Sequence, residues 1–178
     1  MPSHCGIQGN EHADAVASDF DPAVQADNLS VCHRDLKATD KAGALIRWQN
    51  LWCNSTKGRY FFNLSPTVNA ALWFRGLNLP RHIVTFINRL KFNHTRCKDH
   101  LFKIKIIDNN SCSCGGIQSP QHILADCRDV DPRDRAKLID IARNAGLTSV
   151  SIQSLIQSSN KKVLFALYDF FKSTDIEI

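Results

Sequence analysis

Two sets of side chains in this 178-residue chain have the types and spacing that chemistry requires. The first is His4 with Asp14. Pro2 and Gly6 keep His4 out of helix and regular strand, and Gly9-Asn10-Glu11 reads as a helix start with Asn10 as N-cap, which places Asp14 about one turn inside. A carboxylate held near a helix N-terminus can bind Mg²⁺, and a loop imidazole can relay protons near neutral pH, a pair suited to metal-assisted phosphodiester hydrolysis. One carboxylate is too few, because two ions roughly 4 Å apart need several convergent oxygen ligands. Glu11, Asp19, Asp21 and Asp27 lie on the same short helix or the loop after it, and without a sheet they cannot surround a metal.

The second set is Cys112-Ser113-Cys114-Gly115-Gly116, then His122, then Cys127. Three soft sulfurs and one imidazole complete a tetrahedral Zn²⁺ shell with no position left for water, which means structural zinc. Gly115-Gly116 permits the tight turn of a short chelate loop, and Ser119-Pro120 starts a helix whose far end brings His122 and Cys127 together. Cys-x-Cys is tighter than the common two-to-four-residue spacer, so reduced cysteines without metal remain the alternative. His94, Cys97 and His100 form a rival set, with Cys97 or His100 a substitute ligand if Cys112 points away. Cys5, Cys32 and Cys53 have no partner pattern and read as inert thiols.

These residues need elements to hold them, and the pattern is helical almost throughout. Residues 10–19 and 34–56 read as helices, the second with Leu45, Trp48 and Trp52 on one side. Pro66 opens a short helix through Leu72 and Phe74. Pro80 opens another, whose Ile83, Phe86, Ile87 and Leu90 repeat at i, i+3, i+4 and i+7. Asp131-Pro132 starts a helix with Leu138, Ile141, Ala142 and Ala145 on its apolar face and Gly146 as its stop. Ser159-Asn160 caps a last helix carrying Val163, Leu164, Leu167, Phe170 and Phe171.

The net charge of +5 conceals a segregation. Residues 1–40 hold two basic and seven acidic side chains, residues 41–110 hold twelve and two, and residues 111–178 hold eight of each. The basic middle interleaves Trp48, Trp52, Tyr60, Phe61, Phe62, Trp73 and Phe74 with Arg47, Lys57, Arg59, Arg75, Arg81, Arg89, Lys91, Arg96 and Lys98. Most of these aromatics are expected in the core, and the basic excess is expected to meet the phosphates of RNA, DNA or an RNA–DNA hybrid. A hydrophobic content of 43% supports a real core. No apolar run of about 18 residues occurs, and the polar start is no signal peptide. With seven cysteines, an odd number, the expected protein is soluble and intracellular, nuclear or cytoplasmic, without membrane partners.

The run from Pro2 to Asp14 resembles the last active-site segment of type 1 ribonuclease H, in the version fused to the reverse transcriptase of jockey-like or I-like non-LTR retrotransposons. The resemblance implies that His4 is the mobile histidine and Asp14 the final Mg²⁺ ligand. The family's other carboxylates and their strands have no counterpart in this sequence, so the site is expected to be incomplete and Mg²⁺ relevant only in a complete domain. Met1 stands where the family has an aliphatic residue, and a truncated product is expected. The Cys112–Cys127 cluster followed by Arg133 and Arg135, together with the run from Asn88 to His94 and His100-Leu101, resembles the C-terminal tail of the same polyproteins.

The expected fold is mainly α: a helical tail with a small zinc-stapled module, behind an N-terminal remnant of an α/β ribonuclease H-like fold lacking its sheet. The expected divisions are that remnant at 1–20, an acidic linker at 21–40, a basic helical region at 41–110, the zinc-knuckle-like cluster at 111–128 and C-terminal helices at 129–178. The expected function is that of a retrotransposon-derived reverse transcriptase fragment that binds nucleic acid, with other parts of the polyprotein as further partners, and is catalytically incomplete alone. The alternative is a ribonuclease H that hydrolyses the RNA strand of RNA–DNA hybrids.

Overall fold

A computed structural model describes residues 8–19, 32–174, 176 and 178. Among these the chain is mainly α-helical: α1 (Gln8–Ser18), α2 (His33–Asn54), α3 (Arg59–Leu64), α4 (Arg81–Lys91), α5 (Lys98–Lys103), α6 (Pro120–Ala125), α7 (Pro132–Asn144), α8 (Ile152–Gln157) and α9 (Lys161–Ser173). The one β feature among them is an isolated bridge between Ser111 and Ile117. The chain divides into two units, Met1–Ala42 and Gly43–Ile178. In the first, α1 starts at Gln8, ahead of the expected cap at Asn10, and Asp14 is exposed on it. His4, Cys5, Asp21 and Asp27 lie outside the described residues. No helix among the described residues is long and apolar enough to cross a membrane.

The core of the second unit follows the apolar stripes. Ile83, Phe86, Ile87 and Leu90 of α4 are all buried, so the period of 3.6 residues presents one face inward. That face packs on α8, through Ile152, Leu155 and Ile156, and on α9, through Val163, Leu164, Leu167, Phe170 and Phe171. On α9 also packs α7, with Leu138 and Ala142 fully buried and Ile141 and Ala145 at the margin. Local signals start and stop these helices. The carboxylate of Asp131 accepts from the Arg133 amide at 2.8 Å and the side-chain oxygen Oδ1 of Asn160 from the Lys162 amide at 2.9 Å. Ser151 and Ser154 form a reciprocal capping box on α8. Gly146, at φ 86°, takes the left-handed conformation that ends α7 and bonds back to the Arg143 carbonyl at 2.9 Å.

Two expectations need correction. The segment opened by Pro66 forms turns rather than a helix, because the Asn69 side chain accepts from the Ala71 amide at 2.8 Å and supplies a local alternative to helical bonding. The helix forms earlier, as α3, after Gly58 reverses the chain at φ 69°. The aromatics of the basic segment are not core: Trp48 is 51% exposed, and Trp52, Tyr60, Phe61, Phe62, Trp73 and Phe74 are half-buried. The α3 segment folds back on α2, where Trp52 Nε1 donates to the Ser65 carbonyl at 3.0 Å and the Gln49 side chain bonds both Pro66 and Val68. The Trp52, Phe61 and Phe62 rings therefore have protein on one side and water on the other.

Leu167→Ala, at a fully buried position of α9, is expected to cost about 2–5 kcal/mol in urea unfolding. Leu51→Ala, at a position 72% exposed, is expected to stay within about 0.5 kcal/mol.

Candidate metal centre

The stretch from Asn110 to Gln118 is a tight hairpin. The Cys112 amide donates to the Gly116 carbonyl at 2.6 Å, the Gly115 amide to the Cys112 carbonyl at 3.0 Å and the Gln118 amide to the Asn110 carbonyl at 2.9 Å. Gly115 turns the chain at φ 95°, a conformation that side chains beyond glycine resist. After the hairpin, the Ser119 hydroxyl accepts from the His122 amide at 3.2 Å and fixes the start of α6. At the end of α6 the Asp126 and Cys127 amides both donate to the His122 carbonyl at 2.8 Å, which folds Cys127 back toward the hairpin.

The result is convergence: the ligand atoms of Cys112, Cys114, His122 and Cys127 all lie within 4.8 Å of one another, close enough to hold a metal ion. Cys127 Sγ is 3.7 Å from Cys112 Sγ and 3.8 Å from Cys114 Sγ. A tetrahedron with sulfurs about 2.3 Å from its centre has edges of roughly 3.8 Å, so these two separations need no adjustment. His122 Nε2 sits 3.1 Å from Cys114 Sγ, a few tenths closer than ligation would set it. Cys112 points into the group. His94, Cys97 and His100 lie outside it, so the substitution considered for Cys97 or His100 is not needed. Cys97 is fully buried and its thiol is pushed up to about 11 by that burial; the His94 and His100 rings meet at a tilt of 53° with their centroids 4.4 Å apart.

The cluster's electrostatics are divided. The Gly116 amide, two residues on, donates to Cys114 and is the main reason its thiol drops to about 6, with the Arg128 amide assisting. Burial, reinforced by the neighbouring thiols, pushes Cys127 up to about 11. A divalent cation entering the group must therefore displace the proton of Cys127.

Four supporting residues were not legible as such. Arg135 of α7 reaches back with its guanidinium fork, donating to the Leu124 carbonyl at 2.7 Å and the Cys127 carbonyl at 2.7 Å, and so pins the last ligand's backbone. Ser113 and Asp129 bond side chain to side chain across the two ligand loops. Gly116 lies against the His122 ring, and a Cβ there would meet Cε1 at 2.6 Å. The Gly-Gly pair in the sequence signalled a turn, whereas a ring filling the missing side chain's place is a tertiary fact.

Of the eight basic residues expected at a nucleic-acid surface, Arg47, Lys57, Arg75, Arg81, Arg89 and Arg96 are exposed. The other two are engaged locally. Arg59 donates to the Trp52 carbonyl at 3.0 Å at the end of α2 and stacks 3.7 Å over Phe62. Lys91 lies 3.9 Å over the Trp73 ring, and burial lowers it to about 8. Compared with protein-family models, curated proteins and solved structures, the chain matches none.

Gly116→Ala is expected to push the His122 ring aside and weaken metal binding about 10–100-fold in competition with a chromophoric chelator. Unchanged affinity would mean that the ring need not sit where it does.

Proposed function

We propose that this chain is a zinc-stapled helical module that binds nucleic acid, related in descent to the C-terminal region of non-LTR retrotransposon polyproteins. The metal reading rests on donor chemistry: three soft sulfurs and an imidazole at tetrahedral separations suit Zn²⁺ and leave no open position, so the ion is structural. Such a site contributes on the order of 10–16 kcal/mol of apparent folding free energy, ample for a segment built from one hairpin and short helices. The binding reading is carried by one observation: ten of the twelve basic side chains in residues 41–110 stand exposed, in a stretch that contains only Asp99 and Asp108 as acids. Phosphates neutralised by such side chains release counterions, and the half-buried aromatics between them offer faces to unpaired bases.

Binding is favoured over cleavage on chemical grounds. Asp14, by resemblance the final metal-binding aspartate, is accompanied in this sequence by carboxylates of its own helix and the loop after it, which cannot encircle two ions. His4 and Asp14 then mark ancestry. In an RNA–DNA hybrid assay with Mg²⁺, the expectation is no cleavage that Asp14→Asn abolishes; such cleavage would establish the ribonuclease H reading instead.

Protein purified under reducing conditions is expected to carry one zinc per chain, and Cys112→Ser with Cys127→Ser to lose it and melt at lower temperature. Affinity for single-stranded RNA is expected to fall about fifty-fold between 50 and 200 mM salt if four phosphates are contacted. Binding indifferent to salt would reduce the basic segment to a solvated face.

A further inference from the structure

Beside the seam where α4 packs on α9 lies an open cleft of about 870 Å³. Arg81, Thr85 and Arg89 line it at i, i+4 and i+8, so one face of α4 runs along it for about 12 Å. Arg96 adds a third guanidinium and Lys172, from the last turn of α9, an ammonium; all four cations are exposed. None of the described residues lining the cleft is Asp or Glu. Lys172 belongs to the stretch of the sequence that is neutral overall, so this concentration of charge arises only when α9 docks on α4.

The wall is aromatic. Tyr168 of α9 is half-buried and held edge-on against Phe86 at 5.3 Å and 89°, with the His82 ring 5.3 Å away at a tilt of 54°. A ring fixed this way is a stacking platform whose position costs a ligand little to use. Arg89 Nη1 donates to a main-chain oxygen of Ile178 at 2.6 Å, so this guanidinium directs its N–H groups into the cleft with one of them engaged by the chain itself.

We propose that this cleft is the strand-binding groove of the module, holding a single-stranded nucleic acid with its phosphates on Arg81, Arg89 and Lys172 and one unpaired base against Tyr168. The assignment rests on the nucleic-acid reading above and specifies its site and ligand form. A duplex keeps its base faces stacked inside and could use the cations alone; the aromatic wall is useful only to an unpaired base.

The test uses the full chain with a fluorescein-labelled single-stranded RNA 12-mer, its duplex and a nucleoside monophosphate competitor. Arg81→Glu with Lys172→Glu reverses two cleft charges; Lys137→Glu with Lys162→Glu makes the same change in net charge at exposed positions lining the groove between α7 and α9. The cleft pair is expected to weaken single-strand binding by about tenfold or more and to flatten the salt dependence by about 1.4 in slope, at about 0.7 per phosphate. The α7–α9 pair is expected to leave the slope unchanged, and the duplex to bind more weakly than the single strand. Arg81→Gln with Lys172→Gln, compared with the native chain by thermal melting, must show the same direction, which separates lost contacts from misfolding. Equal losses in both pairs, or equal binding of duplex and single strand, overturn the groove while leaving the module reading intact. Displacement of the 12-mer by the monophosphate at equal concentration assigns the cleft to a small phosphorylated ligand and also overturns the groove. Failure of the native chain to bind any of the three overturns both.

Discussion

Three thiols held beside an imidazole within 4.8 Å of one another cannot all become thiolates, their metal-binding form, unless a cation stands between them. The opposed acidities of Cys114 and Cys127 express that constraint: one sulfur is stabilised as thiolate by backbone amides, and another is forced to keep its proton by burial and by its neighbours. The surrounding backbone is arranged around this point. Gln118, at the end of the hairpin, accepts the Lys98 and Asp99 amides and so holds the start of α5, and Lys98 Nζ reaches the Ser111 carbonyl at 3.2 Å. Arg135 ties α7 to the last ligand. Through Gln121, whose side chain accepts the Ile152 amide at 3.1 Å, α6 is joined to α8 and hence to the core. A cation that closes the cluster therefore fixes four helices at once.

The basic surface depends on the same body. With α4 packed by its apolar stripe on α8 and α9, its other residues are left at the surface, and Arg81 and Arg89 reach solvent because Ile83 and Ile87 do not. The aromatic residues of the basic segment divide the labour: Phe62 and Trp73 hold Arg59 and Lys91 over their faces, where cation–π contact and burial keep these two charges local. The other basic side chains of the segment stand at the surface, where salt screens them, so binding through this surface would weaken as ionic strength rises.

Much of this was legible. The ligand set could be read from residue type and spacing, the stripe of α4 from periodicity, and the starts of α6, α7 and α9 from Ser119, Asp131 and Asn160. The six-residue helices α3, α5 and α8 were not, because so short a helix has no stability of its own and exists only where tertiary contacts complete it. The turns after Pro66 were misread because proline permits a helix start without requiring one, and Asn69 decided the matter locally. Burial of Trp52, Phe61 and Phe62 was overestimated because hydrophobicity says that a ring seeks cover but not whether a second layer exists to provide it. The Arg135 fork, the contact of Gly116 with the His122 ring and the place of Lys172 beside α4 join residues distant in the chain or in the charge pattern, and no local rule reports them.

The staple itself is tested most directly by X-ray absorption at the zinc edge of the loaded, reduced chain. Three sulfurs at about 2.3 Å and one nitrogen at about 2.0–2.1 Å, with no oxygen shell, are the expected result. A shell with two sulfurs or fewer, or one containing water oxygen, contradicts a closed structural site made by Cys112, Cys114, His122 and Cys127.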